Sequence, residues 1–239
     1  MECLEIMRFW WVLLAAAGVS LALTYGLRRY ALARSLMDIP NARSSHRVPT
    51  PRGGGVAILV SFLLALPVFA LTGVLDRSAA AALLGAGAWV AAVGFLDDHG
   101  HVAARWRLLA HFAGAAWALA WLDGAPPLAL FGSTVDLGWA GAGLATLYLV
   151  WLLNLYNFMD GIDGIAGVEA ICACVGGALL YVLVGQPALV PVPLALAAAV
   201  AGFLYWNFPP ARIFMGDAGI ACGGLWVWCK ERAVGASQE

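Results

Sequence analysis

The chain has 239 residues, of which 63% are hydrophobic and only 11% charged, with a mean hydropathy of +0.85. A soluble domain carries about 25% charged residues, so a water-soluble globule of this size lacks the polar residues to cover itself. Thirteen Lys and Arg against fourteen Asp and Glu leave a net charge of −1, which gives no electrostatic footprint for nucleic acid.

Seven apolar stretches reach or approach the roughly 20 residues that a helix needs to cross a bilayer. They run over Phe9–Leu27, Val56–Val74, Ala79–Leu96, Leu108–Leu122, Trp139–Tyr156, Ile165–Val184 and Ala188–Trp206. The sequence therefore predicts an all-α, polytopic membrane bundle of about seven transmembrane helices. Abundant Ala and Gly suit close approach of neighbouring helices. Arg28 and Arg29 follow the first stretch rather than precede it, so that stretch reads as a retained helix and not a cleaved signal. Most of the eleven Trp fall near span ends, as an interfacial belt requires. Five Cys, an odd number without a C-x-x-C pair, make neither a disulfide framework nor a zinc site.

Seven spans divide the connections between two sides. Arg28, Arg29, Arg34, Arg43, Arg47, Arg52, Arg105, Arg107 and Arg212 fall on one side, against Arg8 and Arg77 on the other before the tail. The excess of Arg predicts that the first side is cytoplasmic and the N-terminus outside. Four polar clusters interrupt the apolar runs: Asp38–Arg52, Asp97–Arg107, Asn154–Asp163 and Asn207–Asp217. Each pair is separated by an even number of spans, so all four share the Arg-rich side. Six of the nine Asp are there: Asp38, Asp97, Asp98, Asp160, Asp163 and Asp217.

Carboxylates brought together repel, and some protonate unless a cation joins them. Hard oxygen ligands with little His or Cys point to Mg²⁺ or Mn²⁺ rather than zinc. Arg43, Arg47 and Arg52 flank Gly53-Gly54-Gly55 ahead of a helix start, where backbone N–H groups and guanidinium forks suit phosphate oxygens. Acid for metal, base for phosphate and a membrane face together point to phosphoryl transfer involving a lipid. Asn154, Asn157, Asp160 and Asp163 recur every three residues, so on one helix they would form a slow polar spiral with neighbours about 60° apart. Taken alone, Asp97-Asp98 could be a solvated turn, the Gly run a flexible one, and His99 and His101 solvated loop residues. Glu169, about a turn inside the sixth span, is a lesser candidate for support of the site.

The clusters read Asp38-Ile-Pro-Asn-Ala-Arg-Ser-Ser-His-Arg-Val-Pro-Thr-Pro-Arg-Gly-Gly-Gly55, Gly94-Phe-Leu-Asp-Asp98, Asn154-Leu-Tyr-Asn-Phe-Met-Asp-Gly-Ile-Asp-Gly164 and Phe214-Met-Gly-Asp217. In that order and spacing the chain closely resembles the polyprenyl-phosphate N-acetylhexosamine-1-phosphate transferases of glycosyltransferase family 4, over about residues 38–219. The Asn-Phe-Met-Asp-Gly-Ile-Asp-Gly wording looks more like the UDP-GlcNAc:undecaprenyl-phosphate branch than the MurNAc-pentapeptide branch. The resemblance implies attack of undecaprenyl phosphate on the β-phosphorus of a UDP-N-acetylhexosamine, with release of UMP, at the cytoplasmic face of a bacterial inner membrane. It also implies roles. Asp97 and Asp98 match the essential Asp pair, Asp217 and Asn157 are placed for metal, and Asn154, Asp160, Asp163, Arg43, His46, Arg52 and Arg105 are placed for substrate. Its partners would be the two substrates and membrane lipid, and a homo-oligomer stays open.

Family members usually continue past Phe-Met-Gly-Asp with further spans and a late His/Arg-rich loop, whereas residues 220–239 depart from the pattern, with Ile220 where Ser is usual. The expectation is a transferase domain over 1–219, followed by a tail left by truncation, with weak or no activity. A transporter or a non-catalytic membrane fragment are the competing readings. Against the transporter, the spans hold almost no ionisable groups near their middles.

Overall fold

The computed structural model describes residues 8–40, 48–100, 102–125, 127–130 and 133–220. Among these residues seven long helices stand where seven spans were expected: α1 Trp10–Ala33, α2 Gly55–Leu71, α3 Arg77–Gly100, α4 Ala104–Trp121, α5 Gly138–Met159, α6 Ile165–Leu183 and α7 Pro191–Asn207. Two short hairpins complete the chain. β1 Met37–Asp38 pairs antiparallel with β2 Thr50–Pro51, and β3 Leu128–Leu130 with β4 Ser133–Val135. Short 3₁₀ turns precede α7, at Pro187–Leu189, and close the described chain, at Asp217–Ile220.

Five helices are long and apolar enough to cross a membrane: α1, α3, α5, α6 and α7 with its preceding turn. The other two belong to the same bundle. Helix α2 is apolar but has only 17 residues, and α4 has 18 that include Arg105, Arg107 and His111. Two helices run well past the expected spans at the Arg-rich side. Helix α1 runs on to Ala33, through Arg28 and Arg29, because Arg is a good helix former and its long stem can lie along apolar surface while its head reaches water. Helix α3 likewise continues through Asp97-Asp98 to Gly100, so the Asp pair sits in the last helical turns and not in a turn after the span.

The core forms around α7, the most enclosed span: 61% of its apolar window is buried, against 22% for α1 and for α5. Its small residues Ala195, Ala199 and Gly202 are buried, and they let α1, α2 and α6 approach its backbone. At Gly202 the approach is closest. A Cβ there would lie 2.3 Å from the Ala17 carbonyl oxygen. Ser20 and Thr24 continue this seam on α1, both buried, with the Thr24 hydroxyl donating to the Ser20 carbonyl at 2.7 Å. Large apolar side chains are instead exposed on the outer faces, among them Trp151 and Phe158 on α5 and Leu179 and Leu183 on α6. In water such a surface would drive aggregation; toward acyl chains it costs nothing.

The Gly202 contact makes a direct prediction. Gly202→Ile must push α1 from α7, and overpacking of this kind costs about 1–3 kcal/mol or more. Thermal unfolding in detergent should show a clear drop in midpoint for this variant. Gly176→Ala, on α6 where a Cβ meets nothing within 4 Å, should leave the midpoint near that of the wild type.

Candidate functional site

The four polar clusters arrive at one end of the bundle, where α1, α3, α5 and α7 finish and α2, α4 and α6 begin. Two loops interlock there first. The Phe214 N–H donates to the Pro51 carbonyl at 2.8 Å, and the Gly54 and Gly55 N–H groups donate to the carbonyls of Phe214 and Met215 at 2.9 and 2.7 Å. The glycine run was expected to turn its amides toward phosphate. Gly54 and Gly55 instead spend theirs holding the Phe214–Asp217 segment against the start of α2. Arg52, half-buried, donates from Nη2 to the Asp98 carbonyl at 3.0 Å and so caps the end of α3.

Asp217 lies at the centre. Its Oδ2 accepts from Arg107 Nη1 at 3.0 Å, and its Oδ1 accepts from Asn157 Nδ2 at 3.1 Å. The same Arg107 nitrogen donates to Asp97 Oδ2 at 2.8 Å, while Asp97 Oδ1 accepts the Val102 N–H at 2.6 Å. Asp98 is buried beside them and accepts the Asp217 N–H at 3.4 Å. Residues from α3, α4, α5 and the segment after α7 therefore share one hydrogen-bonded cluster. Burial and the neighbouring Asp97 carboxylate push Asp217 up to about 6, against the pull of Arg107 and Asn157.

The remaining expected residues divide. Asp160 caps α5 close to the cluster, and burial, followed by the charges of Asp217 and Asp163, pushes it up to about 6. The polar spiral stops at Asn157, because α5 ends at Met159 and the chain turns before α6; Asp160 and Asp163 lie in that turn. Asp163 Oδ2 accepts the Ala211 N–H at 2.9 Å and so ties this turn to the segment after α7. Asn154 lies a turn back from Asn157, where its amide donates to the Val150 carbonyl and meets His111 Nδ1 at 3.4 Å. Arg105 stays outside the cluster; it is exposed, with its guanidinium 5.8 Å from the Trp106 ring centroid. Glu169 is exposed on α6 and joins none of these bonds. His99 is exposed but tethered to the Phe95 carbonyl and the Tyr30 hydroxyl. Arg43, His46, Arg47, His101 and the tail 221–239 lie outside the described residues.

Three residues of this end were not singled out from the sequence: Arg107, His111 and Asn207. Helical spacing carries the missing signal for two of them. The buried face of α4 is Ala110, His111, Gly114, Ala115, Ala118 and Leu119, and stepping back one turn from His111 gives Arg107, not Arg105. Asn207 is 2% exposed at the end of α7; its Oδ1 accepts the Gly164 N–H at 3.0 Å and its Nδ2 donates to the Ile213 carbonyl at 2.9 Å.

A hard divalent cation fits this donor set. Asp217 and Asp97 present carboxylate oxygens and Asn157 an amide. Among the described residues no group of three or more His, Cys, Asp or Glu is arranged to hold an ion by itself.

Comparison with known proteins follows the same residues. The glycosyl transferase family 4 profile matches residues 80–229, more than half of the chain and inclusive of Asp97, Asp98, Arg107, Asn157 and Asp217. The chain belongs to glycosyl transferase family 4. Among its relatives are a decaprenyl-phosphate N-acetylglucosaminephosphotransferase of Mycobacterium tuberculosis, 35% identical over 89% of this chain and 57% of the relative, and a probable undecaprenyl-phosphate N-acetylglucosaminyl 1-phosphate transferase of Bacillus subtilis, 28% identical over 83% and 55%. A phospho-N-acetylmuramoyl-pentapeptide-transferase of Symbiobacterium thermophilum is 33% identical over 83% and 64%. The chain of this family 4 member thus spans little more than half the length of the relatives it matches.

Asn207 offers a test of how the site is held. Asn207→Leu keeps the volume but strands the Gly164 N–H and the Ile213 carbonyl, each at about 1–3 kcal/mol. Unfolding in detergent should show a loss of about 2–6 kcal/mol, and limited proteolysis should open first between residues 160–164 and 208–216.

Proposed function

We propose that this chain transfers N-acetylhexosamine-1-phosphate from a UDP-N-acetylhexosamine to undecaprenyl phosphate, releasing UMP, and so begins a lipid-linked surface polysaccharide of O-antigen type. The observation that carries this is the meeting of Asp97, Arg107, Asn157 and Asp217 at one end of a membrane bundle. A polyprenyl phosphate keeps its chain in the bilayer and its phosphate at the surface, so a reaction on that phosphate belongs at the end of the helices. The Arg-rich composition of that end favours the cytoplasmic face of a bacterial inner membrane.

In the reaction a phosphate oxygen of the lipid forms a bond to the β-phosphorus of the donor, and the bond from that phosphorus to the UMP oxygen breaks. Both substrates are anions, and positive charge must lie between them. Arg107 supplies part of it. Asp217 and Asn157 would hold Mg²⁺ or Mn²⁺, which when bound supplies further charge against the donor diphosphate. Asp97, fixed by Arg107 and the Val102 N–H, is positioned to orient the acceptor phosphate or take its proton. Asp160, Asn154 and Asp163, on α5 and in the turn after it, would line the nucleotide side, and Arg52, Arg43, His46 and Arg105 would contact substrate phosphate.

Membranes containing the chain, given labelled UDP-GlcNAc, undecaprenyl phosphate and Mg²⁺, should release UMP and form a diphosphate-linked lipid sugar. Asp97→Asn and Asp217→Asn should each lower that rate by about 10²–10⁴-fold; full activity in both variants overturns the assignment. Profiling UDP-GlcNAc against UDP-GalNAc and UDP-MurNAc-pentapeptide identifies the branch. A transporter or a non-catalytic fragment would release no UMP under any of these donors.

The same site predicts a pH dependence. Asp217 faces Asp97, Asp98, Arg107 and Asn157, and its carboxyl titrates at about 6. A raised carboxyl is protonated below that pH and offers no anionic ligand. Mn²⁺ affinity, read by electron paramagnetic resonance on the solubilised chain, should fall as pH drops through about 6. Asp217→Asn should bind weakly at every pH.

A further inference from the structure

The two carboxylates of the Asp pair are adjacent in sequence but sit in different surroundings. Asp97 shares Arg107 with Asp217 and points into the cluster. Asp98 is 4% exposed, and its Oδ2 is buried with no hydrogen-bond partner. Around that carboxylate are two residues without side chains. Gly53 has φ +97° and Gly216 φ +72°, a backbone region that other residues adopt only with strain. A Cβ on Gly216 would lie 2.6 and 2.9 Å from the two Asp98 oxygens, and one on Gly53 would lie 3.7 Å from Oδ2. The carboxylate thus fills a slot whose walls are glycine backbone, one wall from the loop before α2 and the other from the segment after α7. Both loops also bond to Asp98 itself: Arg52 Nη2 donates to its carbonyl at 3.0 Å, and the Asp217 N–H donates to its Oδ1 at 3.4 Å.

We infer that Asp98 is a positioning residue, a buried strut that holds the Gly53 loop and the Gly216-Asp217 turn in register and thereby sets where the Asp217 carboxylate stands. A group that exchanges a proton with the lipid phosphate needs an open approach, and Asp98 is covered on both sides by backbone. Asp97, itself only 9% exposed, faces Arg107 and Asp217 and not the glycine slot. The two members of the pair therefore divide their work: Asp97 meets the reacting groups, and Asp98 builds the place where they meet. The catalytic consequence rests on the transferase reading above, but the strut itself does not.

Hydrogen exchange of the solubilised full chain, followed by mass spectrometry, tests the strut without turnover. Asp98→Ala empties the slot and should speed amide exchange at least tenfold in residues 51–56 and 213–218 while α6 stays protected. Asp98→Asn still fills the slot and keeps an acceptor for the Asp217 N–H, so its exchange should return to within about threefold of wild type. Gly216→Ala, which drives a methyl into the carboxylate, should resemble Asp98→Ala. Unchanged exchange in Asp98→Ala overturns the inference, and so does an Asp98→Asn as fast as the alanine variant. UMP release adds rescue by the conservative variant as a second readout: Asp98→Asn should release UMP at least tenfold faster than Asp98→Ala. Total loss with both loops still protected would make Asp98 a reacting group and overturn the strut. A wild-type chain that releases no UMP counts against the transferase reading, and the exchange results then decide the strut by themselves.

Discussion

Arg107 reaches Asp97 on α3 and Asp217 beyond α7 from one nitrogen, at 2.8 and 3.0 Å. The Asp97 and Asp217 carboxyls also stand close enough to hydrogen-bond each other when one is protonated, and when both are charged they repel. The guanidinium between them offsets that repulsion and permits the segments to meet. Without it, the ends of α3 and α5 and the Phe-Met-Gly-Asp segment would have reason to splay. The charge at position 107 is thus a condition of the architecture as well as of any chemistry performed there.

Around that ion pair, the surrounding loops are joined mostly by main-chain donors and by side chains that bond main chain. Gly54 and Gly55 hold Phe214 and Met215, Asp163 holds Ala211, and Asn207 holds Gly164 and Ile213. Each link joins segments more than forty residues apart or closes the turn at the end of α7. Polar residues that look like a ligand set in the sequence therefore serve two ends. Some present oxygen atoms toward the cleft, and others, with equal chemical character, hold the walls. Asn207 belongs to the second kind, and Asp163 serves it through the one oxygen that accepts the Ala211 N–H.

The helices were readable because hydrophobic length is a property of each segment alone. Runs such as Ile165–Leu183 need no knowledge of their neighbours. The grouping of Asp97, Asn157 and Asp217 at one end was readable too, since counting spans places alternate connections on the same side. What could not be read was direction and partnership. Arg105 and Arg107 are equal in composition, and only the phase of α4 against its buried face separates them. Asp97 and Asp98 are likewise equal until tertiary contacts make one an ion-pair member and the other a filling for a glycine slot. The three-residue rhythm from Asn154 to Asp163 misled for a related reason: the pattern fits a helix, but the Gly161–Gly164 stretch favours a turn, and the turn wins.

Helix α7 is the last of the seven along the chain, yet it is the one on which α1, α2 and α6 all rest. A ribosome makes α1 nearly two hundred residues before the face that receives it. Until then the Ala16–Ser20–Thr24 seam has only lipid or a passing chaperone for company. Assembly of this core consequently waits on α7, because α1 and α7, far apart along the chain, must find each other before the core exists. Quality control at the membrane would meet a chain with α1 to α6 inserted and no stable centre, and its fate would be decided in the interval before α7 docks.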